Sequence, residues 1–316
     1  MENLIISFNA IAPMFLIIAA GVLCRKVKLI AKDGVEVLNK LVYWIFCPAL
    51  LFNNIYVATH QEGGVQLDAK LLAYLAGAIV VVYGVTFAIT VATVKENPRR
   101  GAVIHGIFRS NFVILGLPIV LALFPPEETA IVSVAATVVV PIFNVLAVFT
   151  LENFRGGKVT VGQVLLSIAK NPLIIGTVLG IVFWLTGLTL PGIVETSVAD
   201  LAKTAMPIGL LALGAAIEAK GMGRNLKAIG MTTLARLVLV PAVTLPVAAL
   251  AFGIRGVELA TVMAVFASPA AINSYTMAAQ MGGDAELAGG IVMATSALSC
   301  VTIFLWTFLM KQVGWF

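Results

Sequence analysis

Residues 109–118, RSNFVILGLP, decide how this chain folds. They lie inside an otherwise apolar run from Gly101 to Phe124, which at about 1.5 Å per residue is long enough to cross a hydrocarbon layer roughly 30 Å thick. An ordinary spanning helix does not carry this text. Arg109, Ser110 and Asn111 are polar, Gly116 is a weak helix former, and Pro118 deprives the carbonyl of Ile114 of its usual donor. A broken helix is tolerated in lipid only where protein covers it or a wet cavity receives it, because unpaired backbone groups are costly there. The stretch reads as the wall of a binding site, with the break expected at Gly116 and Pro118.

The surrounding composition is that of an integral membrane protein: 60% hydrophobic, 11% charged, mean hydropathy +1.06, against about 25% charged in soluble domains. Apolar runs fall near residues 4–24, 35–56, 70–94, 101–124, 129–150, 163–187, 192–218, 226–252, 257–281 and 285–310, giving ten candidate spans. The short connections leave no room for a soluble catalytic or nucleic-acid-binding domain. The net charge of +5 needs no nucleic acid, since the basic residues sit in loops where membrane insertion explains them. Loops after spans 1, 3, 5, 7 and 9 hold thirteen Lys and Arg, from Arg25 to Lys227. The opposite side holds Lys70, Lys203, Arg255 and Lys311. This asymmetry puts the first side in the cytoplasm and both termini outside. The first span opens Met1-Glu2 without a basic leader, and Leu23 before Cys24 does not suit a lipoprotein cleavage box, so it is expected to stay in the mature chain. Cys24, Cys47 and Cys300 have no metal-ligand spacing and read as small buried hydrophobes.

The prolines suggest an internal repeat. Pro13 and Pro172 are 159 residues apart, as are Pro48 and Pro207, while Pro118 and Pro269 are 151 apart. PMFLIIAAGVL from Pro13 resembles PLIIGTVLGIV from Pro172. Two five-span halves, 1–154 and 155–316, follow. Because five is odd, the second half enters the membrane from the opposite side, the inverted-repeat plan of secondary transporters. In span 9, FASPAAINSYTMA carries Pro269, Asn273, Ser274 and Tyr275 and is the expected partner of the span 4 stretch. Two broken helices meeting at the midplane would offer half-helix N-termini to a carboxylate and C-termini to a cation.

Around that crossing, Asn111 and Asn273 are candidate substrate contacts, because an amide can donate to an anion. The structural alternative is that each caps its own broken helix. Asn144, three residues beyond Pro141 in span 5, faces the same gap or hydrogen-bonds between helices. Arg109 attracts the anion or pairs with a carboxylate. Arg236, deep in span 8, is expected to satisfy carbonyls exposed at the breaks, with direct substrate contact the lesser reading. His105 is the titratable group near span 4, although a lone histidine is more often packed or hydrogen-bonded. No acidic residue falls at mid-depth, which disfavours a cation/proton antiporter. No zinc, phosphate-loop or nucleophile–base pattern appears, so the chain is not read as an enzyme.

The motifs LNKLVYWIFCPALLF with Asn39 and Pro48, NFVILGLP with Asn111, Gly116 and Pro118, and SPAAINS with Pro269 and Asn273 resemble the auxin efflux carrier family, in its bacterial branch. The resemblance covers nearly the whole chain. It implies an all-α, ten-helix membrane protein with crossed, proline-broken helices 4 and 9. A transport core of spans 3–5 and 8–10 would move like an elevator against a scaffold of spans 1, 2, 6 and 7, usually in a homodimer. It further implies a small organic anion, such as malonate or an auxin-like acid, as cargo at Asn111, Gly116, Pro118, Asn144, Pro269, Asn273 and Ser274, exported across a bacterial inner membrane. Unlike the plant carriers, this chain lacks a long central cytoplasmic loop. No cofactor is implied; Na+ or H+ would be the coupling ion. Two other readings are a sodium-coupled organic-anion symporter resembling the bile-acid carriers, and a membrane-embedded sensor that binds ligand without net flux.

Overall fold

The computed structural model describes residues 2–59, 68–125, 128–155, 172–216 and 225–316, with isolated positions between 162 and 170. Their regular elements are all helices, with no strand among the described residues. The helices are α1 (Glu2–Lys26), α2 (32–59), α3 (Ala69–Thr93), α4 (Asn97–Phe108), α5 (Phe112–Leu123) and α6 (Ala130–Arg155). The second half contributes α7 (Pro172–Thr186), α8 (Gly192–Ala216), α9 (Leu226–Ala251), α10 (Gly256–Ala267), α11 (Asn273–Gln280) and α12 (Ala285–Gln312). Six of the described helices are long and apolar enough to cross a membrane by themselves, and α5 and α10 are among the shorter apolar ones. The connection after Arg155, where the two halves were expected to join, lies outside the described residues.

Side chains that would be buried in a soluble protein stand exposed along the long helices: Val80, Val81, Val85 and Ile89 on α3, Leu298, Val301 and Leu305 on α12. A helix satisfies its own backbone, so such a belt suits contact with lipid and little else. Packing divides the helices into two groups. In one, α1 lies on α8 and α2 lies on α7 and α8. The other gathers α3 to α6 with α9 to α12 around α4, α5 and α10. Glycines permit the closest approaches in the first group. A Cβ at Gly214 would fall 1.9 Å from the carbonyl oxygen of Ile18, and one at Gly176 would fall 2.5 Å from that of Pro48. Any larger residue would force these backbones apart, as is usual where small residues let membrane helices touch.

Three of the prolines inside unbroken helices follow a π turn. Before Pro48, Pro118 and Pro241 the helix opens into a π turn, at Val42–Phe46, Phe112–Gly116 and Ala235–Leu239. In each, the residue before the proline donates its N–H to the carbonyl five residues back: Cys47 to Val42, Leu117 to Phe112, Val240 to Ala235. The extra residue in the turn shifts the pyrrolidine ring away from the carbonyl it would otherwise strike. At Pro241 the carbonyl left without a donor, that of Leu237, takes the indole N–H of Trp306 at 2.9 Å.

The interruption expected at Gly116 and Pro118 is therefore one turn earlier. α4 stops at Phe108, residues 109–111 leave the helix, and α5 begins at Phe112. Gly116 serves a different need: a Cβ there would lie 2.5 Å from the carbonyl oxygen of Ala264 and 2.8 Å from Ser268 Oγ, so its absence lets α5 press against α10. The second interruption, residues 268–272, does contain its proline. Ser268 precedes Pro269 and has ψ 153°, the extended conformation a following proline favours.

Candidate functional site

The two interruptions are joined through their backbones. Asn111 N–H donates to the carbonyl of Pro269 at 2.8 Å, and Ala271 N–H donates to that of Arg109 at 3.1 Å, forming an antiparallel bridge between Ser110 and Ala270. A third group in the gap, the N–H of Ala270, reaches Thr295 Oγ1 on α12 at 3.2 Å. Residues that could neither continue a helix nor face lipid thus satisfy one another inside the protein.

On one side of this bridge the C-terminal ends of α4 and α10 come together, and Arg236 of α9 lies between them. Its Nε donates to the carbonyl of Ser268 at 2.7 Å and one terminal nitrogen to that of Val265 at 2.8 Å. The other reaches the carbonyls of Ile107 at 3.0 Å and Phe108 at 3.3 Å. The side chain is 0% exposed. Carbonyls at a helix C-terminus lack intrahelical donors and carry partial negative charge, so the guanidinium both pairs and neutralises them.

The N-terminal ends of α5 and α11, at Phe112 and Asn273, also begin at the bridge. Near them the hydrogen-bond balance reverses. Arg109 is buried, with one guanidinium nitrogen 3.0 Å from Asn144 Oδ1 and the other against the thioether of Met277. A thioether is a weak acceptor for a cation. None of the ion pairs among the described residues involves Arg109. Four further polar groups here are buried without a protein partner: the amide nitrogens of Asn111 and Asn144 and the hydroxyls of Ser110 and Ser274. Donors outnumber acceptors. That imbalance is what an anion would correct.

The remaining candidates are placed as follows. His105, 1% exposed, has Nε2 3.1 Å from the carbonyl of Ala147 and its ring edge-on to Phe108, while Nδ1 has no partner. It ties α4 to α6. The backbone of Asn273 opens α11, but its side chain is not among those described. Asn39 and Pro48 lie on α2. Pro48 lines an apolar groove of about 520 Å³ with Trp44, Phe52, Gly176 and Phe183, where no charged group is found. Thr295 and Met277 are the site residues that sequence reasoning missed. No group of three or more metal-ligating side chains occurs among the described residues.

A membrane-embedded, helical chain with two joined interruptions and a buried cluster of unpartnered polar groups has the features of a transporter. The model of the membrane transport protein family matches residues 6–307, and the chain belongs to this family, which includes the auxin efflux carriers. It is a multi-pass membrane transport protein and not an enzyme. Among its relatives, a Rhizobium meliloti protein bearing the name "Putative malonate transporter" is 25% identical over 302 residues, covering 93% of this chain and 92% of the relative. A Methanothermobacter thermautotrophicus protein named as a transporter without stated cargo is 21% identical over 314 residues, covering 95% and 97%.

Proposed function

We propose that this protein is a secondary carrier of a small organic carboxylate, held between the N-terminal ends of α5 and α11 by Arg109, Asn111, Asn144 and Ser274. One observation carries the reading: the buried guanidinium of Arg109, against a thioether and an amide oxygen, surrounded by polar groups with no partner of their own. A carboxylate supplies the missing acceptors and the opposite charge. The name of the Rhizobium relative agrees with malonate as a candidate cargo.

The same reading takes the chain as ten spans in two inverted halves, 1–154 and 155–316. The grouping of α1, α2, α7 and α8 supports a scaffold, and the helices around α4, α5 and α10 a core that carries the cargo by an elevator movement. The interruptions begin at Arg109 and Ser268, again 159 residues apart, which favours the repeat. Both termini lie on the outer side of an inner membrane, two copies associate, and transport runs outward. The deciding experiment is uptake into proteoliposomes of labelled malonate, oxalate, indole acetate and a bile acid, with sodium, proton and voltage gradients imposed one at a time. Movement of at least one small carboxylate is expected; no flux of any under every gradient would sink the reading and favour a ligand-binding sensor.

A further inference from the structure

We propose that Arg236 is the resident cation of the crossing: its guanidinium fills the seat that two facing helix C-termini offer to a small monovalent cation, and it holds the carboxylate site in shape without one. Each C-terminal end presents carbonyls lacking donors and about half a negative charge. Two such ends brought together make a cage of oxygen ligands, the kind that binds sodium where transporter helices are broken. Here the cage is already filled. Arg236 takes two carbonyls from each side, those of Ile107 and Phe108 and those of Val265 and Ser268, and is fully buried while doing so.

One positive charge opposes two half charges, so the account closes without a further ion. The planar fork matters as much as the charge, since it spans two helix ends at fixed geometry where a lysine would reach only one. Arg236 touches no part of the anion cluster. It acts through the backbone: by fixing the ends of α4 and α10 it sets the Ser110–Ala270 bridge, from which Asn111 and the start of α5 are positioned. It is a positioning residue. Only the uptake arm of the test below rests on the carboxylate-carrier reading; the stability arm rests on this geometry alone.

The purified full-length protein is expected to melt at the same temperature in sodium chloride and choline chloride of equal ionic strength. Arg236→Ala should melt several degrees lower. Guanidinium at sub-denaturing concentration should recover most of that loss and sodium part of it, with Arg236→Lys intermediate. In proteoliposomes Arg236→Ala should raise KM for the carboxylate roughly tenfold or more, with guanidinium lowering it again and kcat less affected. Leu239→Ala, on the exposed face of the same helix, should leave KM unchanged. Stabilisation of the wild type by sodium, or an Arg236→Ala protein with wild-type melting and KM, would overturn the proposal. Should Arg236→Ala fail to fold, the wild-type comparison between sodium and choline decides by itself. Wild-type liposomes that move no carboxylate would refute the carrier reading and leave the melting comparison standing.

Discussion

Asn111 commits its backbone and leaves its side chain free. The N–H and carbonyl serve the bridge and the first turn of α5, accepting from Leu115 at 3.0 Å, while the amide nitrogen is buried and bonded to nothing in the protein. Asn111→Ala is expected to abolish or greatly weaken carboxylate uptake yet change stability by no more than about 1 kcal/mol, since no protein hydrogen bond of that nitrogen is lost. Uptake at the wild-type rate with an unchanged melting curve would remove Asn111 from the site. At this scale the sequence was informative about depth and silent about partners. A lone Arg236 far from either membrane surface had to face protein polar groups, and it does. That Arg109 would face Asn144 and Met277 rather than a carboxylate depended on how α6 and α11 pack, which no local pattern encodes.

At the level of the element, proline misled in one place and informed in another. Pro118 looked like a break because an α-helix cannot accept it cheaply, but a π turn accepts it, and no residue in FVILG announces that turn. Pro13 with Pro172 and Pro48 with Pro207 are both 159 apart, and the same step back from Pro269 reaches residue 110, inside the observed interruption. Two tests belong here. In a background lacking Cys24, Cys47 and Cys300, the pair Ser110→Cys and Ala270→Cys should cross-link under mild oxidation, because residues opposed in an antiparallel pair lie about 4.5–5.5 Å apart at Cα. Failure to cross-link, judged by mobility shift and mass, would mean the interruptions do not meet. Gly116→Val should destabilise by about 1–3 kcal/mol through collision with the Ala264 carbonyl, measured as a fall in melting temperature.

For the whole molecule, composition and charge bias alone announced a membrane protein and which loops share a side. The structure groups them compatibly. Asp284 N–H meets the carbonyl of Pro98 at 3.1 Å, and Arg99 meets Asn225 at 3.0 Å, linking connections at one end. At the other end Gly256 N–H meets the carbonyl of Trp315 at 2.9 Å. Of single cysteines introduced at Lys95 and Gly314, only the second should therefore be labelled in intact cells by an impermeant maleimide, the first reacting after the membrane is permeabilised. Labelling of both from one face would reverse or refute the proposed orientation. Only the family resemblance suggested the two-group packing; no local pattern marked it, because the glycines that permit it, Gly21, Gly176 and Gly214, are unremarkable in a chain holding 28 of them.

The joint between Ser110 and Ala270 is made of main chain alone. Neither amide–carbonyl pair reads the identity of a side chain, so Ser110 and Ala270 can each be exchanged while both hydrogen bonds are kept.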